Sequence, residues 1–109
     1  MNKMAIVEDL EAISEGRMPS GKMAVRTTHG ARDIVLRGTN GNGFKIPLDQ
    51  VDSFIRELEQ TCVNSYTLYR LGREDCAVEI PGFKVPKVAR YLREARDTGV
   101  HFANYHMIF

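Results

Sequence analysis

Apolar positions along the chain change their spacing several times, and each change marks an expected element. Ile6, Leu10 and Ile13 recur at i, i+4 and i+7, which predicts a short N-terminal helix. Gly16, Pro19 and Gly21 end it, and residues 17–21 read as a connector. From Lys22 the period becomes two. Met23, Val25 and Thr27 alternate with Ala24, Arg26 and Thr28, the pattern of a half-buried strand. His29-Gly30 is read as a turn, and Asp33 to Arg37 as a second strand with Ile34 and Leu36 facing the core. Thr39-Asn40-Gly41-Asn42-Gly43 supplies residues suited to a hairpin connection, and Phe44-Lys45-Ile46 a third short strand.

Pro47 can occupy the first turn of a helix, where its missing amide hydrogen is harmless. Val51, Phe54, Ile55 and Leu58 then form one apolar stripe. The same order follows again. Tyr66 to Leu71 is expected as a strand, Gly72-Arg73-Glu74 as a turn, and Cys76 to Ile80 as a strand with Cys76, Val78 and Ile80 on one side. Pro81-Gly82 interrupts, and Val88, Tyr91, Leu92 and Ala95 make a second helical stripe. Thr98-Gly99 ends that helix, and 100–109 suits a closing strand.

The two halves also share residues. Gly43-Phe44-Lys45-Ile46-Pro47 is echoed by Gly82-Phe83-Lys84-Val85-Pro86, 39 positions later. The expected architecture is therefore α+β: one antiparallel sheet with two helices on one face. It is built from a tandem strand–strand–(GFKxP)–helix duplication, with a short N-terminal helix and a C-terminal strand. A single domain would comprise residues 1–21 (helix and connector), 22–61 (first copy) and 62–109 (second copy with closing strand). The bland alternative is that strand-to-helix junctions containing Gly and Pro simply look alike.

Composition narrows the chemistry. Fifteen basic and 14 acidic residues leave a formal charge of +1, so attraction to a polyanion must come from a local patch. Acidic Glu8, Asp9 and Glu11 near the start do not fit a secretory signal, and no apolar run is long enough to span a bilayer. With two cysteines, Cys62 and Cys76, outside any CxxC pair, the expected setting is a reducing cytoplasm with free thiols. His29, His101 and His106 lack metal-ligand spacing, and Gly41-Asn42-Gly43 lacks the Lys and helix of a phosphate loop. These patterns point away from an enzyme, a cofactor or a metal.

Two surfaces remain as candidates. Lys87, Arg90, Arg93 and Arg96, preceded by Lys84, form a basic ridge on the side of the second helix away from its apolar stripe. Such a ridge can neutralise phosphates, or it can be a solvated face. The first helix carries Asp49, Asp52, Glu57 and Glu59 instead, so an acid-to-base contact between neighbouring copies could build a homo-oligomer. On the sheet, Arg26, Arg37, Tyr69 and Tyr105 could share a solvent-facing side where bases stack on rings, whereas Tyr66 and Phe102 read as core. Strand tyrosines equally serve cross-strand packing.

The stretch Gly43-Phe44-Lys45-Ile46-Pro47-Leu48 leading into Val51-Asp52-Ser53-Phe54-Ile55 resembles the strand-to-helix junction of the PUR-repeat and Whirly superfamily. That group binds single-stranded nucleic acid with curved antiparallel sheets, and pairs two copies about a pseudo-dyad. The resemblance implies a sheet-and-helix fold and a nucleic-acid ligand. It carries over no site residue, and this chain shows fewer strands per copy than the four of the family. The leading expectation is a non-enzymatic module binding single-stranded DNA or RNA. The alternative is a small protein-binding regulator acting through a helix face or edge strand.

Overall fold

The computed structural model describes residues 10–14, 23–27, 32–98 and 104–108. For 11–14, 24, 26, 27, 74, 98 and 104–108 it describes the backbone alone. Among the described residues, seven strands and two helices follow in the order β1 (Leu10–Ser14), β2 (Met23–Thr27), β3 (Asp33–Arg37), β4 (Gly43–Pro47), α1 (Val51–Thr61), β5 (Thr67–Leu71), β6 (Val78–Pro81), α2 (Val85–Thr98) and β7 (Asn104–Ile108). Single 3-10 turns at Leu48–Gln50 and Gly82–Lys84 lead into the two helices, and a third spans Glu74–Cys76.

The α+β class is as expected, but the strands form two antiparallel sheets where a single one was expected, because β1 and β7 pair with strands distant in sequence. One has four strands in the order β4-β3-β2-β7, the other three in the order β1-β5-β6. Both helices lie on one face of the four-stranded sheet, α1 against β4 and α2 against β2, β3 and β7, and they pack on each other. Period-two burial explains the choice of face. Met23, Val25, Ile34, Leu36 and Ile46 are buried, and α1 adds Val51, Phe54, Ile55 and Leu58 from its apolar stripe. Phe44 and Phe54 stack at 6.0 Å between centroids, which ties β4 to α1. Val85, Val88, Ala89, Leu92 and Ala95 of α2 join the same core, as do Tyr69, Leu71, Val78 and Ile80 of the smaller sheet. Tyr91, expected in the stripe, is only partly buried.

Three further expectations are corrected. Leu10 to Ser14, the described part of the segment expected as an N-terminal helix, form β1 instead, which pairs antiparallel with β5 from Leu10↔Leu71 to Ser14↔Thr67. Ile6 and the connector at residues 17–21 lie outside the described residues. A helix of two or three turns has little stability by itself, and β5 offers an edge to pair with, so pairing overrides the local spacing. Next, Cys76 does not belong to a strand: it ends the Glu74–Cys76 turn and is exposed. Finally, the two pentapeptides are not equivalent. The first is strand β4; the second is the 3-10 turn and first two residues of α2.

A structural echo does exist, at a spacing of 34 residues. Ile46-Pro47 and Ile80-Pro81 each close a strand, a 3-10 turn follows, and Val51 or Val85 opens the helix. Both halves thus run strand, strand, 3-10 turn, helix, the second with an additional 3-10 turn between its strands. They do so in different sheets: β3-β4 belongs to the larger and β5-β6 to the smaller.

The two sheets meet at the β3–β4 loop. Thr39 N–H donates to the Glu79 carbonyl at 3.0 Å, and the Asn40 and Asn42 side-chain amides both donate to the Ala77 carbonyl, at 2.7 and 3.0 Å. Gly38 permits this approach, because a Cβ there would lie 2.5 Å from the Glu79 carbonyl oxygen. Gly41 turns the loop at φ +87°.

Candidate nucleic-acid interface

The four-stranded sheet has two unlike faces. Positions that alternate with the buried set of β3 and β4 include Arg37, Gly43 and Lys45, all exposed, with half-buried Asp33, Val35 and Pro47. The ladder lines these positions up with β2 and β7. Lys45 is opposite Val35, Val35 opposite Arg26, and Arg26 opposite Tyr105. One step along, Gly43, Arg37, Ala24 and Met107 form the next row. Adjacent strands sit about 4.8 Å apart, so each row spans roughly 15 Å from β4 to β7. Three cationic residues and one tyrosine therefore occupy two neighbouring rows, with Asp33 the acidic residue at one end of β3.

Of the nine residues singled out from sequence, Arg26, Arg37 and Tyr105 come together on this sheet. Tyr69 does not join them. It lies in β5 of the other sheet, only 4% exposed, with its hydroxyl accepting the Asn64 N–H at 3.1 Å. Tyr66 is 76% exposed because β5 begins only at Thr67, which leaves Tyr66 in the preceding turn. The expected roles of these two tyrosines are exchanged. Phe102 lies outside the described residues. Lys45 was missed as a candidate, although its alternation with Phe44 and Ile46 marks it as outward.

The α2 cations occupy the other side of the molecule from these rows, since α2 packs on the buried face of the same sheet. Arg93 reaches Glu59 of α1 at 3.5 Å; Arg96 pairs with Asp52 of α1 and with Asp97 at 3.1 Å. The basic and acidic helices thus meet within one chain, so part of the contact expected between neighbouring copies is satisfied internally. Arg90 lies over the Tyr91 ring at 5.0 Å and stays exposed, as does Lys87. Lys84 is only 7% exposed and lies 5.9 Å from the Phe83 ring centroid; burial, and then the charge of Lys87, lower its pKa below the usual lysine value.

A second surface was not foreseen. A cleft of about 400 Å³ opens between the end of α1 and the start of α2, lined by Glu59, Cys62, Val63, Phe83, Val85 and Pro86 among others. Val63, Tyr66 and Phe83 are the large hydrophobics exposed among the described residues. Tyr66 reads as a packed position in sequence, and nothing in the spacing of Tyr66 or Phe83 signals exposure. Among the described residues no group of three or more His, Cys, Asp or Glu is placed to hold a metal ion, and no helix is long and apolar enough to cross a membrane. In comparisons with known proteins, the chain matches no family model, no curated protein and no solved structure.

Proposed function

We propose that this chain is a non-enzymatic module that binds single-stranded DNA or RNA across the outer face of its four-stranded sheet. The register row Lys45–Val35–Arg26–Tyr105, with Arg37 in the next row, carries the reading. It combines cations for phosphates with an aromatic residue on which a base can stack, worth about 1–3 kcal/mol per base. The junction from Gly43 to Ile55 that resembles the PUR-repeat and Whirly group belongs to this same sheet and its helix. Lys84, Arg93 and Arg96 have no part in this reading, and Tyr69 serves the fold.

Fluorescence anisotropy with a labelled single-stranded oligonucleotide tests it. Three phosphates neutralised by Arg26, Arg37 and Lys45 give a slope of about −2 for log affinity against log salt. Arg37→Glu and Lys45→Glu each weaken binding tenfold or more, whereas Lys87→Glu and Arg90→Glu change it little. Absence of binding at low salt removes the proposal; equal losses from the helix variants move the site to α2.

A second reading, a small protein-binding regulator, is favoured by the cleft beside exposed Val63, Tyr66 and Phe83. A stoichiometric partner that is retained after nuclease treatment and lost with Phe83→Glu would select it.

A further inference from the structure

The β3–β4 loop contains two Asn-Gly pairs, Asn40-Gly41 and Asn42-Gly43, and both side-chain amides donate to the Ala77 carbonyl, which immediately precedes β6 of the other sheet. Asn-Gly is the dipeptide in which the following backbone nitrogen most readily reaches the side-chain carbon, because glycine has no Cβ to obstruct it. The two pairs differ in the state of that nitrogen. Gly41 N–H is held by the Gly38 carbonyl at 3.1 Å. Gly38 N–H bonds to the Asn42 carbonyl at 3.0 Å, which makes Arg37 and Gly43 a non-hydrogen-bonded pair of the β3-β4 ladder. In such a pair the residues' own N–H groups point away from each other. Gly43 N–H therefore points outward from β4, an edge strand of its sheet, and Gly43 is exposed.

We infer that Asn42 is a site of deamidation and that its conversion unfastens the loop joining the two sheets. The Gly43 nitrogen, giving up its proton to solvent base, bonds to Asn42 Cγ. The Cγ–Nδ2 bond breaks and ammonia leaves with a proton from solvent. The resulting succinimide is opened by water at either carbonyl, giving aspartate or isoaspartate. Oxidation states do not change, and water is the co-reactant. The product replaces the donor Nδ2 by a carboxylate oxygen 3.0 Å from the Ala77 carbonyl oxygen, so a hydrogen bond becomes a contact between two acceptors. Asn40 cannot compensate alone: its Oδ1 accepts the Asn42 N–H at 3.3 Å, which leaves only its Nδ2 for Ala77.

Incubating the folded protein in warm, mildly alkaline buffer and mapping peptides by mass spectrometry tests the chemistry. Conversion at Asn42 is expected to run severalfold faster than at Asn40. Gly43→Ala, at a position without positive φ, should suppress it at Asn42 while sparing Asn40. Conversion at Asn40 that equals or exceeds that at Asn42 overturns the assignment. Hydrogen exchange tests the consequence: in Asn42→Asp the Thr39 amide, bonded to Glu79, should lose at least tenfold of its protection while the core strands keep theirs. Unchanged protection at Thr39 overturns the unfastening.

Discussion

A methyl group at Gly82 would overlap the Asn64 carbonyl oxygen and press on the Tyr69 ring at 3.1 Å, so Gly82→Ala must part the 62–66 loop from the 3-10 turn that leads into α2. Overpacking of this kind costs about 1–3 kcal/mol, readable as a lower urea midpoint at unchanged slope. Cys62 invites a different experiment. Burial pushes its thiol up to about 12 from an ordinary 9.0, so the folded state favours the neutral thiol. Its contribution is complete below pH 9 and is lost as pH rises toward 12, and that loss should be absent in Cys62→Ala when unfolding is followed across the window. At neutral pH a thiol reagent is expected to label exposed Cys76 at once and buried Cys62 only on unfolding. The tyrosines show where sequence is silent at this scale. Tyr66 and Tyr69 have the same side chain, and only the start of β5 at Thr67 decides which is buried.

Among the elements, the helices were the most legible. Val51, Phe54, Ile55 and Leu58 are all buried in α1, as are Val88, Leu92 and Ala95 in α2, because the amphipathic stripe survives any choice of neighbour. Leu92→Ala should cost about 2–5 kcal/mol in thermal or denaturant unfolding, the loss typical of a filled core. The ion pairs joining α1 to α2 should contribute far less. Double-mutant cycles on Arg93 with Glu59, and on Arg96 with Asp52, are expected to give coupling of about 0.2–1 kcal/mol, since all four groups remain partly exposed. The N-terminal element was misread, and the two pentapeptides were wrongly equated, for one reason: strands depend on partners. Leu10 to Ser14 becomes β1 only because β5 receives it. Gly43 to Pro47 is a strand because β3 pairs with it, while the matching Gly82 to Pro86 enters a helix whose stripe opens at Val85. Five similar residues thus take two conformations, each fixed by what lies after them.

At the scale of the molecule, the class and the helix-bearing face followed from alternation and periodicity, but the sheet count did not. No local pattern says that β7 lies beside β2, or that β1 lies beside β5. The row running from Lys45 to Tyr105 exists only through the first of those pairings, which explains why Arg26 and Tyr105 could be grouped in sequence yet not ordered. The same long-range closure separates the α2 cations from the sheet cations, a division that residue spacing cannot express.

The two closing pairs also interlock the halves. Among the described residues, the early strand β1 completes the sheet of the later β5-β6 hairpin, and the late strand β7 completes the sheet of the earlier β2-β3-β4 meander. Neither half owns all of its own strands. Fragments divided in the 62–66 loop should each lack cooperative unfolding by circular dichroism and recover it on mixing. During synthesis, the larger sheet must wait with one edge unfilled until β7 emerges from the ribosome, which makes this the interval when an unfinished chain is most open to wrong pairing.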